Sequence, residues 1–161
     1  MLVKANTLKW ALRFYPPLFF QRIWVLDFAD DFTSAHIKIN RSLLNINYNK
    51  TIFGGTIFSA SDPFYALLFD QVLRKKGFKT RVWLKSAQIA YLKPGNGDLY
   101  FKIEISQQDI DEAEEKLNTV GKFVKSFPIE IKNKDGEICA LISNEVYVRN
   151  LRAGETKTVS Y

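Results

Sequence analysis

The chain has one cysteine, Cys139, and one histidine, His36, in 161 residues. A single cysteine excludes an internal disulfide and any cysteine-based zinc cluster, and Cys139, in a strand-like stretch, reads as a small buried apolar residue. His36 lies in alternating sequence beside Ser34 and Lys38; it reads as solvent-facing, and a lone histidine offers no metal site. No apolar run approaches the ~20 residues of a membrane-spanning helix, so no integral membrane contact is expected. The opening MLVKANTLKW lacks the continuous apolar stretch and small-residue cleavage site of a secretory signal, which points to a cytoplasmic protein. Internal repeats and low-complexity segments are missing too. The basic residues form no run, yet the net charge is +6 with a pI near 9.4. Such a balance favours an anionic partner, whether nucleic acid, a membrane surface or a phosphorylated molecule, and scattered lysines are also what a solvated surface looks like.

The composition is that of a globular protein, 47% hydrophobic and 25% charged, and the length suits one domain over residues 1–150. The tail 151–161 has no periodicity and reads as flexible. Leu8, Ala11, Leu12 and Tyr15 recur at helical spacing before Pro16-Pro17 stops the pattern. Strand-like stretches over 22–28 and 33–40 flank an Asp30-Asp31 turn. Residues 57–69 then carry only Ser59, Ser61 and Asp62 as clearly polar members, which predicts one long helix over 55–76, buried nearly all round. Strands follow over 79–92 and 98–106, and a short helix opens at Asp109 and closes at Gly121. A last hairpin over 123–132 and 137–149 turns at Asp135-Gly136. Pro128 has no amide proton, which places it at a bulge or a sheet edge. An antiparallel sheet that must cover an apolar helix wraps round it, so the expected fold is α+β.

Two places invite chemistry. Gly54-Gly55 at a helix start would let the backbone approach a ligand, with first-turn amides free to polarise a carbonyl; an ordinary loop needing glycine backbone angles fits the same residues. Asp62 is the only charged residue between Thr51 and Phe69, and a carboxylate in such company needs a reason. It is either a working group or an N-cap before Pro63 at the first helical position. If the helix instead starts near Gly55, Pro63 lies inside it, removes the hydrogen bond to the Ser59 carbonyl and kinks the chain at Asp62. The aromatic residues mostly sit at core periodicities, which disfavours nucleic-acid binding. Trp10 and Phe14 beside Lys9 and Arg13 raise the further idea of peripheral membrane attachment.

The run from Asn49 to Asp62, with its paired glycines and an aspartate eight residues after the first, resembles the active-site signature of hotdog thioesterases related to the phenylacetate-pathway enzyme. Pro16-Pro17, Phe53-Gly54-Gly55, Asp62-Pro63, Val82-Trp83 and Tyr91-Leu92-Lys93-Pro94-Gly95 together resemble the DUF4442 branch of that superfamily, over residues 10–149. The resemblance implies a hotdog fold, an antiparallel sheet wrapped around a long central helix, and hydrolysis of an acyl-CoA thioester. In that reading an amide near Gly54 or Gly55 holds the thioester oxygen, Asp62 activates water or attacks directly, and Asn49 helps to place the water or carbonyl. Phe53 would line the substrate site, with Lys85 and Lys93 near the phosphates. Coenzyme A would be part of the substrate, no separate cofactor would be needed, and the assembly would be a homodimer or homotetramer. One departure stands out: many phenylacetate-type members have histidine where this chain has Phe53. A non-catalytic hotdog protein binding acyl-CoA or another apolar ligand is the alternative.

Overall fold

The computed structural model describes residues 3–152. Helix α1 (Ala5–Arg13) is followed by α2 (Pro16–Phe20), hairpin β1 (Ile23–Phe28) and β2 (Ser34–Ile39), then α3 (Gly54–Ser61) and α4 (Pro63–Lys75). Strands β3 (Thr80–Tyr91) and β4 (Leu99–Glu104), helix α5 (Gln107–Thr119), and strands β5 (Lys122–Asn133) and β6 (Ile138–Asn150) complete the order. The six strands form one antiparallel sheet in the order β1-β2-β4-β5-β6-β3. Its inner face, with Ile37, Ile39, Leu99, Ile103, Phe123, Ile131 and Val148 all buried, closes on Phe64, Leu68, Phe69 and Leu73 of α4.

Several local outcomes differ from the periodicity. Pro16-Pro17 does end α1, but the same prolines open α2, because their fixed φ suits a first turn and neither amide is needed there. On α1 the residues packed on the core are Ala5, Leu8 and Leu12, while Ala11 faces out; Tyr15, also exposed, lies beyond the helix as the N-cap residue of α2. Helix α5 begins two residues before Asp109. Ser106 is its N-cap, and the Ser106 hydroxyl and Asp109 carboxylate form a reciprocal capping box. The turn between β1 and β2 is held by Asp31, whose Oδ1 accepts from the Thr33 amide at 3.0 Å and hydroxyl at 2.7 Å.

Strands β4 and β5 pair only at Leu99–Asn133 and Tyr100–Lys132 and then diverge. Pro128 therefore faces an open edge of β5, where its missing amide proton costs no ladder bond. Its carbonyl accepts from the Tyr65 hydroxyl at 3.1 Å, and burial pushes that phenol up to about 12. Leu151 and Arg152, the first residues of the tail, form a turn in which the Leu151 amide donates to the Lys79 carbonyl at 2.8 Å; 153–161 lie outside the described residues.

Candidate active site

The expected single helix is two. Asp62 sits between α3 and α4 with helical angles, φ −64 and ψ −56, and its side chain caps nothing. The N-cap explanation of Asp62 therefore fails: an N-cap residue is non-helical and accepts from a following amide. The kink at Pro63 is present as a break. Around it the Ser61 hydroxyl donates to the Phe58 carbonyl at 2.8 Å, and the Asn144 amide of β6 reaches up to the Ser61 carbonyl at 2.7 Å. Asn144 is fully buried, and among the described residues its Oδ1 has no hydrogen-bond partner.

Nor is the helix buried all round. The face away from the sheet, with Phe58, Asp62, Ala66 and Leu67, is partly or wholly exposed. The Asp62 carboxylate reaches solvent but is crowded by apolar groups, and this desolvation alone raises its pKa above the ordinary value. Among the described residues it has no hydrogen bond and no ion pair. It opens into two cavities: one of about 670 Å³ shared with Ala66, Leu67, Trp83 and Leu84, and one of about 310 Å³ shared with Tyr15, Pro17 and Phe58.

The start of α3 is set by the loop before it. Asn45, buried, donates from its side chain to the carbonyls of Gln21 and Asn40 at 2.8 and 3.0 Å and accepts from the Ser42 amide. Its own carbonyl accepts from the Phe53 amide at 2.8 Å, and the Ile52 amide donates to the Gly95 carbonyl at 2.9 Å. The Phe53 carbonyl then accepts from Thr56 and Ile57. Among the described residues the Gly54 and Gly55 amides donate to nothing, as first-turn amides do. Neither glycine has a positive φ, so the demand for glycine is not a matter of backbone angles. It is close approach by aromatic rings. A Cβ on Gly54 would lie 3.0 Å from Cζ of Tyr91, whose hydroxyl donates to the Gly54 carbonyl at 2.8 Å, and one on Gly55 would lie 2.3 Å from Cε1 of Phe53.

The other expected site residues are dispersed. Asn49 is exposed in a turn, its amide donating to Asn47 Oδ1 at 2.9 Å. Lys93 lines a cavity of about 300 Å³ with Gly54 and Tyr91, but pairs with Glu137 at 2.6 Å. Lys85, at a β-bulge in β3, pairs with Glu145 at 3.0 Å and is not near the glycines' cavity. Gly55 and Asp62, seven residues apart, share a helix face but stand about 10 Å from each other along the axis.

The model of the family described as Domain of unknown function (DUF4442) matches residues 5–148. The chain belongs to this family. The DUF4442 chain matches no curated protein, but it has solved structural relatives. It is similar to PA5026 of Pseudomonas aeruginosa, a protein of unknown function called a probable thioesterase, with TM-score 0.77 and 14% identity over 93% of this chain and 98% of that one. It is similar to thioesterase HI1161 of Haemophilus influenzae, with TM-score 0.68 and 12% identity over 94% of both chains. The E. coli PaaI protein from the phenylacetic acid degradation operon gives TM-score 0.60 and 16% identity over 91% of both. The DUF4442 chain thus has the hotdog fold, with its central helix broken at Asp62.

Proposed function

We propose that this protein is an acyl-CoA thioesterase in which Asp62 is the general base or nucleophile and the amides of Gly54 and Gly55 are the oxyanion donors. The observation that carries the reading is the state of Asp62: a carboxylate with no partner among the described residues, raised in pKa by apolar neighbours, opening into a cavity. A group kept unpaired at such a cost suits general-base or nucleophilic work. The free first-turn amides supply the complementary half, since donors aimed at a developing oxyanion stabilise it in the transition state.

The separation of about 10 Å from the start of α3 to its C-terminal end implies that the two halves belong to different sites or are joined by a second copy. We favour a homodimer, with the glycine loop of one copy facing Asp62 of the other; a homotetramer would be a pair of these. Coenzyme A belongs to the substrate, no other cofactor enters, and a cytoplasmic location would suit such a substrate. Asn49 lies in the loop before the glycines, from which a modest shift would be needed to touch a substrate. Lys85 and Lys93 would have to leave Glu145 and Glu137 to meet phosphates.

The second reading, a hotdog protein that binds acyl-CoA or another apolar ligand without hydrolysis, is favoured by Phe53. Its ring lies over Gly55 and brings no polar atom to a thioester. A panel of acyl-CoAs of graded chain length, followed by free thiol release, separates the two. Turnover on one length class supports the enzyme; binding to the same acyl-CoAs without thiol release supports the carrier.

A further inference from the structure

Away from the Asp62 carboxylate, exposed aromatic side chains concentrate on α1, α2 and the Phe14-Tyr15 link between them. Trp10, Phe14, Tyr15 and Phe20 are 49%, 68%, 52% and 62% exposed. Helix α1 uses Ala5, Leu8 and Leu12 to pack on the core, so Trp10, Ala11 and Phe14 form a second apolar face that the fold leaves uncovered. Charge adds to this. The first 26 residues contain Lys4, Lys9, Arg13 and Arg22 and no acid; the first is Asp27. None of the four has an ion pair among the described residues, although Lys38, Lys76, Lys93, Lys102, Lys125 and Lys132 all have one. Arg13 lies 4.5 Å from the centre of the Trp24 ring and 5.8 Å from that of Trp10, which holds a cation at the edge of the aromatic face.

We infer that α1 and α2 form a docking surface for an anionic lipid bilayer, with the aromatic rings at the headgroup level and the basic side chains among the phosphates. Aromatic side chains with one apolar body favour that depth, and basic amphipathic helices lie in the plane of the interface. A second copy of this chain is the poorer occupant, because a two-fold contact through this face would set four positive charges against the same four. The surface lies at the β1 edge of the sheet, opposite in strand order to the free edge of β3. Tyr15 and Pro17 at its rim also line the cavity of about 310 Å³ that reaches Asp62. Docking would thus hold that cavity close to lipid, a convenience for an acyl substrate. This last step rests on the proposed function; the docking itself does not.

The test is sedimentation of the full chain with vesicles of phosphatidylcholine alone and with added phosphatidylglycerol. Binding is expected only with the anionic lipid, where each basic side chain at the surface adds about fivefold to partitioning, and it should fall as salt shortens the screening length. Trp10→Ser with Phe14→Ser should reduce partitioning at least tenfold while leaving thiol release from a soluble acyl-CoA unchanged. In a variant that keeps Trp10 alone, with Trp24→Phe and Trp83→Phe, emission should shift to the blue on anionic vesicles and be quenched by brominated lipid. Failure of the parent protein to bind anionic vesicles at low salt overturns the inference, with no dependence on how any variant folds. So does equal binding by the double variant, and so does a fall in oligomer size on replacing Trp10 and Phe14, which would make the face a contact between copies. Loss of turnover on acyl-CoA with vesicle binding intact would count against the enzyme alone.

Discussion

Burial raises the pKa of Asp62 and no donor among the described residues offsets it, so its ionised form weighs against the folded state at neutral pH. The sign follows from proton binding. A folded-state pKa above the unfolded value means that the folded chain binds the proton more tightly. The group then favours folding increasingly as pH falls from that raised value towards the ordinary 3.8. Asp62→Asn should accordingly melt no lower than the parent at pH 7, and higher if the crowding is fully felt, with the gap closing as acid protonates the parent. Thermal melts of both proteins at pH 7 and through the acid range check this; a variant that melts clearly lower at pH 7 would show that the carboxylate has a stabilising partner. The same raised pKa should set the acid limb of kcat/KM above the ordinary carboxylate range. At the glycine pair the two neighbours differ in freedom. The ring facing Gly55 belongs to exposed Phe53 and can swing away, whereas Tyr91 is tied to the Gly54 carbonyl. Gly54→Ala should therefore cost about 1–3 kcal/mol by overpacking and Gly55→Ala much less, as read from denaturant midpoints. Equal costs would mean that Phe53 is held in place.

The break between α3 and α4 depends on a partner from the sheet. Asn144 supplies the only buried side-chain amide that reaches it among the described residues, donating to the Ser61 carbonyl. Asn144→Leu fills the same space but leaves that carbonyl unsatisfied, at about 1–3 kcal/mol. Because Ser61 precedes Asp62, turnover should fall as well, with kcat moving more than KM; a variant of parental stability would show that the break supports itself. Helix α5 gives an independent check: Ser106→Ala removes half of the capping box and should cost about 0.5–2 kcal/mol, read as a lower melting temperature. Much at this scale was legible. The Asp135-Gly136 hairpin, the β1–β2 turn and the strand spans follow from turn chemistry and period-two alternation, which are local properties. The α3–α4 break was half legible, since Pro63 announces it but the partner that tolerates it lies 83 positions along the chain from Ser61. A signal for Asn144 did exist: it occupies an inward position in a strand whose other inward members there are Ile142, Val146 and Val148. The roles of Asn45 and Tyr91 were not legible, because a buried loop asparagine and a ring over a glycine are facts of packing between distant segments. The loop asparagine nearer the glycines, Asn49, was the one the resemblance singled out.

At the scale of the whole molecule, besides the aromatic face of α1, two features of the single chain are left open among the described residues. Strand β3 ends the sheet with one edge open over twelve residues, and the outer face of α3 and α4 is only partly covered. An open strand edge pairs readily with another strand, and a second copy placed there would cover both. Light scattering should then show a species larger than 18.6 kDa. A strictly monomeric protein would rule out a site shared between copies, and with it the use of Asp62 together with the glycine amides of a second chain. The charge distribution supports a weaker expectation for the nucleotide end of the ligand. Lys85 and Lys93 are already paired and half-exposed, so added salt should weaken coenzyme A binding only modestly. Whether Asp62 performs hydrolysis of an acyl-CoA thioester is read from the rate of thiol release from the preferred acyl-CoA by the parent and Asp62→Asn proteins at equal concentration and matched folding. With Asp62 as the working group, the parent should turn over measurably and the variant should lose about 10²-fold or more, as removal of a positioned general base produces; undiminished turnover by well-folded Asp62→Asn would exclude that role.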